Sequence, residues 1–163
     1  MTGLATLTLL HVLISLIGIA AGLIAVAGWL RSDPARLPTA IFLITTVLTS
    51  VTGFFFPFVR LLPSHILGII SLVMLAFAVF AFYRKNLSGV WRSIFAVTAL
   101  LSLYLNVLVL VVQSFQKIPV LKALAPTQIE PPFLAAQGLA LIVFAVLTIL
   151  TTVRFRPVGL AAA

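Results

Sequence analysis

The stretch that most limits what this chain can become is residues 96–112, together with its surroundings from 90 to 116. It is apolar over a length that suits a membrane crossing, since a hydrocarbon core of about 30 Å asks for roughly 20 apolar residues in a helix. Along it, Thr98, Ser102, Asn106 and Gln113 recur on one helical face. Lipid offers Asn106 no hydrogen-bond partner, so this polar stripe is expected to face other helices. The rest of the chain should then wrap around the stripe.

Composition points to the same class. Of 163 residues, 63% are hydrophobic and 7% charged, whereas a soluble domain carries about a quarter charged residues. The length suits one integral membrane domain. The formal charge of +8 comes from 10 basic and 2 acidic side chains. Seven of the basic ones are Arg, set mainly at the ends of apolar runs, so they read as topology signals and not as a nucleic-acid surface. There is no Cys, which excludes disulfides, thiol catalysis and Cys-based metal sites. Met1, Thr2 and Gly3 carry no side-chain charge and the first apolar run continues to Leu30, so it is expected as a retained helix and not a cleaved signal.

Five runs are expected to form an all-α, up-down bundle of transmembrane helices, at about 4–30, 39–56, 65–82, 90–112 and 133–153. In the first, His11, Ser15, Gly18, Gly22, Ala25 and Trp29 share one side, and the Gly18–Gly22 spacing permits a close helix approach. Asp33-Pro34 and Pro38 are helix-start signals for the second, whose Thr45, Thr49, Thr52 and Gly53 form a mildly polar packing side. Phe54 to Phe58 read as an interfacial collar or, with lower weight, as a quinone wall; Pro57, Arg60 and Pro63 mark a short loop, and Ser64 is a cap for the third helix. Residues 114–132 form a Pro-containing exterior loop with a short amphipathic turn or helix at 118–126. Within it, Thr127-x-x-Glu130 resembles a capping box. In the fifth run Gln137, Phe144, Thr148 and Thr151 align.

Five spans put the termini on opposite sides. Arg31, Arg36, Arg84, Lys85, Arg92, Arg154 and Arg156 fall on one side, and Arg60, Lys117 and Lys122 on the other. The excess of basic residues predicts an exterior amino terminus and a cytoplasmic carboxyl terminus. An early His in the first span, His-x-x-Gly opening the third and a Pro-rich exterior loop make the chain similar to many bacterial inner-membrane proteins. That similarity implies a multi-pass inner-membrane location and no particular chemistry.

Counting inward from the cytoplasmic ends places four polar side chains at one depth. At 1.5 Å per residue, His11 lies about 27 Å from Trp29, His65 about 26 Å from Phe82, Asn106 about 23 Å from Trp91 and Gln137 about 24 Å from Val153. The expectation is an exterior-leaflet polar ligand site of His11, Asn106, Gln137 and Gln113, with His65 near its mouth and the 114–132 loop partly over it. The plainer expectations are a structural hydrogen-bond network, with His65 exposed at the interface. Gly18, Gly22 and Gly53 are the helix-packing glycines.

Three functions follow. The first is a non-catalytic subunit or assembly factor of a larger membrane complex, with lipid and other membrane subunits, or itself, as partners and no nucleic acid. The second is a redox membrane protein binding quinone, or one haem b through His11 and His65; no other metal or cofactor is expected. The third is a small transporter or channel, disfavoured because no Asp, Glu, Lys or Arg lies deep in a span. Gly-x-Ser-x-Gly, His-Glu-x-x-His and phosphate-binding glycine loops do not occur, and no catalytic residue is assigned.

Overall fold

A computed structural model describes residues 3–56 and 63–157 of the chain. The described residues form an all-α bundle: α1 (Gly3–Trp29), α2 (Arg36–Thr52), α3 (Pro63–Val79), α4 (Val90–Lys117), a short α5 (Pro119–Leu124) and α6 (Pro131–Arg154). A 3-10 turn, Gly53–Phe55, extends α2, and a π turn, Phe80–Arg84, extends α3. Five of these segments are long and apolar enough to cross a membrane.

Local chemistry sets the ends. In the α1–α2 turn the Asp33 carboxylate accepts from the Ala35 amide at 2.8 Å, and Ala35 adopts a left-handed conformation. Helix α2 then begins at Arg36, three residues before the expected start. Pro38 lies in its first turn, where the missing N–H would have had no intrahelical partner. Helix α4 follows Gly89, whose φ of 53° and ψ of −127° suit a residue without Cβ. It runs to Lys117, beyond the expected end near 112, because no helix breaker intervenes until Ile118 turns extended ahead of Pro119. Residues 114–117 therefore belong to a helix and not to a loop, and the expected short helix is α5. Pro131 opens α6, with Glu130 extended before it. The Thr127–Glu130 contact exists, Thr127 Oγ1 donating to Glu130 Oε1 at 2.8 Å, but Glu130 and not Thr127 is the capping position. The expected cap at Ser64 and the loop residues Pro57, Phe58 and Arg60 lie outside what is described in side-chain detail.

Helix α4 is the centre, touching α1, α2, α3 and α6. Half of its most apolar stretch is buried, against 6% for α6, which leans on α4 from outside. Leu9, Leu16, Ile24, Ile44, Ile69, Leu139, Ile142 and Ile149 are among the large apolar side chains left exposed. Continuous apolar exposure on this scale suits lipid and not water.

The small-residue seam of α1 is where helices approach most closely. A Cβ on Gly22 would stand 2.7 Å from Leu103 Cδ1 and 3.0 Å from Phe42 Cδ2; one on Gly18 would stand 2.9 Å from Thr45 Oγ1. Gly53 is different, since a Cβ there would meet only His11 at 3.8 Å, an ordinary contact. Gly28, against Ala35, is the tight position that spacing does not reveal.

One end of the bundle is closed by aromatic rings. Trp29, Phe42, Phe95 and Phe155 are fully buried, with ring centroids of Trp29 and Phe95 5.0 Å apart and those of Phe95 and Phe155 6.1 Å apart. Trp29 Nε1 donates to Thr39 Oγ1 at 3.1 Å, and Thr39 donates onward to the Pro34 carbonyl. Ser32 Oγ donates to the Arg154 carbonyl and accepts from the Arg156 amide, which fastens the chain after α6 onto the α1–α2 turn. Lys85 sits 5.5 Å from the Phe80 ring and 5.6 Å from the Trp91 ring.

Candidate functional site: a neutral polar cavity between four helices

Away from the aromatic end, α1, α2, α3 and α4 diverge around a half-open cavity of about 100 Å³. Helical spacing puts its polar groups there. His11 and Ser15 are one turn apart on α1, and Thr46, Thr49, Ser50 and Gly53 recur every three or four residues on α2 and the turn after it. His65, Gly68 and Ser71 do the same on α3, and Asn106 comes from α4. Phe54, Leu67, Leu105 and Val109 complete the wall with apolar surface.

Most of these groups are held in place by hydrogen bonds. His11 Nδ1 lies 2.8 Å from Thr52 Oγ1, which is also 2.7 Å from the Leu48 carbonyl oxygen. Which of the two atoms, Nδ1 or Oγ1, donates is set by the tautomer of the ring. Ser15 Oγ donates to Asn106 Oδ1 at 2.8 Å, and Ser50 Oγ donates to Ser71 Oγ at 3.1 Å. His65 packs against the Phe54 ring with centroids 5.8 Å apart.

Two groups are not held. Asn106 Nδ2 and Thr46 Oγ1 are buried and meet no hydrogen-bond partner among the described residues. Their side chains are 8% and 1% exposed. Both pack close to Gly18, where a Cβ would be 2.9 Å from Thr45 Oγ1, 3.2 Å from Thr46 Oγ1 and 3.6 Å from Asn106 Nδ2. A buried donor left unsatisfied costs about 1–3 kcal/mol.

The expected belt of polar residues is thus divided. His11, His65 and Asn106 line one cavity. Gln137 does not join them: its Nε2 donates to the Leu108 carbonyl at 3.2 Å, in the α4–α6 contact. Residues 106 and 108 point about 200° apart around a helix, so α4 itself separates Gln137 from Asn106. Gln113 shares a face with Asn106 but lies about 10.5 Å further along α4 and is exposed. His65 is buried, 6% exposed, and not the surface residue that its place near the start of α3 implied, because Phe54 folds over it. The 114–132 segment does not line the cavity. Gln128 Nε2 donates to the Val112 carbonyl, and Phe115 meets Phe133, which draws the segment toward α4 and α6.

Sequence reading left out Ser50 and, with more consequence, Thr46, because Thr45, Thr49 and Thr52 drew the polar side of α2 one position off. Its i+3 and i+4 relation to Thr49 and Ser50 was the available signal.

As a holder of cofactors, the cavity is small. At about 100 Å³ it falls below the roughly 300–1,000 Å³ of drug-sized sites, so a porphyrin does not fit inside it. No group of three or more His, Cys, Asp or Glu able to hold a metal ion occurs among the described residues. Comparison with protein-family models, with curated proteins and with solved structures finds no match, so no relative lends this chain an activity.

Proposed function

We propose that the chain is a non-catalytic integral membrane protein, an up-down bundle of five transmembrane helices, which holds a small ligand in the cavity between α1, α2, α3 and α4. Its wider role is that of a subunit or assembly factor in a larger membrane complex. The observation that carries the ligand-binding reading is that Asn106 Nδ2 and Thr46 Oγ1, both on lining residues, are buried with no hydrogen-bond partner among the described residues. Buried groups of this kind call for a partner outside the chain, water or a ligand. Among the described residues the cavity lining contains no Asp, Glu, Lys or Arg, which argues against proton transfer through carboxylates and against ion conduction. Both acidic residues, Asp33 and Glu130, lie in connecting segments.

The five apolar segments and their exposed apolar sides support placement in a membrane. The basic residues favour a bacterial-type inner membrane with the carboxyl terminus in the cytoplasm and the cavity in the exterior leaflet. Gln137, in the α4–α6 contact, belongs to the packing and not to the ligand site in this reading.

Gentle extraction followed by mass spectrometry of the intact complex and of its lipid extract tests the proposal. A stoichiometric neutral small molecule, together with a co-purifying membrane protein, is the expected result. Protein that carries only bulk lipid, with water in the cavity, would refute the ligand reading. Orientation is tested by Cys labelling in intact cells, where Thr127→Cys should react and Asp33→Cys should be protected.

A further inference from the structure

We infer that the aromatic end of the bundle carries a headgroup site for an anionic phospholipid, between the first turn of α2 and the π turn that ends α3. The inference is independent of the polar cavity and rests only on placement of the five apolar segments in a membrane. A pocket of about 370 Å³ lies there, lined by Arg36, Leu37 and Ala40 from α2 and by Phe82, Tyr83 and Asn86 from the other side. That volume falls within the roughly 300–1,000 Å³ of small-molecule sites. Backbone geometry shapes the pocket. The Lys85 amide donates to the Phe80 carbonyl at 3.1 Å, five residues back, so the last turn of α3 holds an extra residue. Phe82 faces inward, its ring centroid 5.3 Å from that of Phe95, while Tyr83 stays exposed. The chain leaves this turn through Asn86, in a left-handed conformation with a φ of 47°.

Charge names the occupant. Arg31, Arg36, Arg84, Lys85, Arg92, Arg154 and Arg156 gather at this end, with Asp33 as the one acidic residue, and an Asp33 oxygen already accepts from the Ala35 amide. Among the described residues the pocket lining has no Asp or Glu, so an anion meets Arg36 without a competing carboxylate. A guanidinium fork suits a phosphate, which it can hold through two parallel hydrogen bonds. The Tyr83 hydroxyl and the Asn86 amide are further donors for a phosphodiester and its glycerol. Leu37, Ala40 and Phe82 add an apolar wall that a free phosphate would not use. Two of the apolar segments, Arg36–Phe55 and His65–Arg84, each end at this pocket, the level at which hydrocarbon gives way to headgroups. Leu37, 71% exposed, continues the wall onto the outer surface, where acyl chains would lie. Basic pockets between helices at a membrane surface collect anionic headgroups, which makes a lipid the occupant and not a soluble phosphate.

The full chain in mild detergent is mixed with equal amounts of dioleoylphosphatidylglycerol and dioleoylphosphatidylcholine, and bound lipid is counted by native mass spectrometry. One phosphatidylglycerol should be retained per chain, in clear preference to phosphatidylcholine. Arg36→Gln should reduce that preference roughly two- to fivefold, the scale of one exposed charge contact. Arg154→Gln, at the same end but outside the pocket lining, should leave it unchanged. Arg36 is exposed, so its replacement should fold, and melting curves check that it does. Tyr83→Phe, which removes only a hydroxyl, supplies a second variant with a smaller loss in the same direction. Equal retention of both lipids would overturn the site, and equal losses from Arg36→Gln and Arg154→Gln would reduce it to diffuse surface charge. Displacement by glycerol phosphate as effective as by phosphatidylglycerol would overturn the lipid in favour of a soluble anion. Flotation with phosphatidylcholine vesicles separates the two readings. Chain that floats yet shows no lipid preference overturns the site alone, and chain that does not float overturns membrane placement and the site with it.

Discussion

The two ends of the bundle share α1, α2 and α4 and use them in opposite ways. At the aromatic end, Trp29, Phe42, Phe95 and Phe155 fill the space between helices, and the one polar group on Trp29 is satisfied by Thr39. At the other end the gaps between helices are lined by small hydroxyls, two imidazoles and an amide around an open cavity. The buried atoms unpaired among the described residues are shared between the ends, Thr46 Oγ1 and Asn106 Nδ2 at the cavity and Arg92 Nε and Thr151 Oγ1 at the aromatic end. Large rings maximise contact, and for helices placed in lipid, as proposed, where apolar surface gains little from leaving the solvent, contact is the main adhesive between helices. Small polar residues give up contact and keep directed hydrogen bonds. The difference teaches that rings fill the helix gaps at one end and leave a polar cavity at the other, so substitutions at the filled end are expected to cost more.

The largest expected effect breaks the aromatic end. Trp29→Ala should lower stability by about 3–5 kcal/mol, the range for losing a large buried ring, measured as unfolding in mixed micelles. A loss below about 1 kcal/mol would show that this end is not the anchor. Next comes Gly22→Leu at the junction of the two ends, where even a Cβ meets Leu103 and Phe42. Overpacking there should cost about 1–3 kcal/mol, whereas Gly53→Ala, with only ordinary contact to His11, should cost under about 1 kcal/mol. Equal effects at the two glycines would remove the distinction between a tight seam and a looser mouth.

A smaller and opposite effect is expected in the cavity. Thr46→Val removes a hydroxyl that has no partner among the described residues, so ligand-free protein should be unchanged or gain up to about 1 kcal/mol. A clear destabilisation would mean the hydroxyl is satisfied in the ligand-free state.

The smallest effect lies outside the spans, at Glu130. Desolvation pulls its carboxyl upward, but hydrogen bonds from the Thr127 hydroxyl and from the backbone amides of Glu130, Thr127 and Ile129 outweigh it and hold it below the ordinary carboxylate value. A lowered folded value means that the turn before α6 is stabilised above the ordinary carboxylate range and loses that support as pH falls through the lowered value. Protection of the Thr127 and Ile129 amides, taken relative to their intrinsic exchange rates, should fall on acidification through that window, and Glu130→Gln should remove this pH dependence while leaving both ends of the bundle intact.

Much of this architecture is legible without coordinates. Apolar runs of membrane length, separated by Pro, Gly and basic residues, specify five long helices, since each condition is local to its own segment. The Gly18–Gly22 seam was visible for the same reason: two small residues four apart must share a face. Depth along a helix could also be counted, which put His11, His65, Asn106 and Gln137 at one level. Which of them meet depends on the rotation of each helix about its axis and on which helices are neighbours, and neither is a local property. Packing decided that α4 stands in the middle, with Asn106 toward α1 and α2 and the backbone at Leu108 toward Gln137 on α6. It also decided that Phe54 covers His65, and that Phe155, after the last helix, becomes core because Ser32 binds the chain on both sides of it. Local sequence determined the helices and their polar faces; only the tertiary structure decided which faces came together, because side-chain packing and hydrogen bonds between distant residues select one rotation and one set of neighbours among many that local sequence allows.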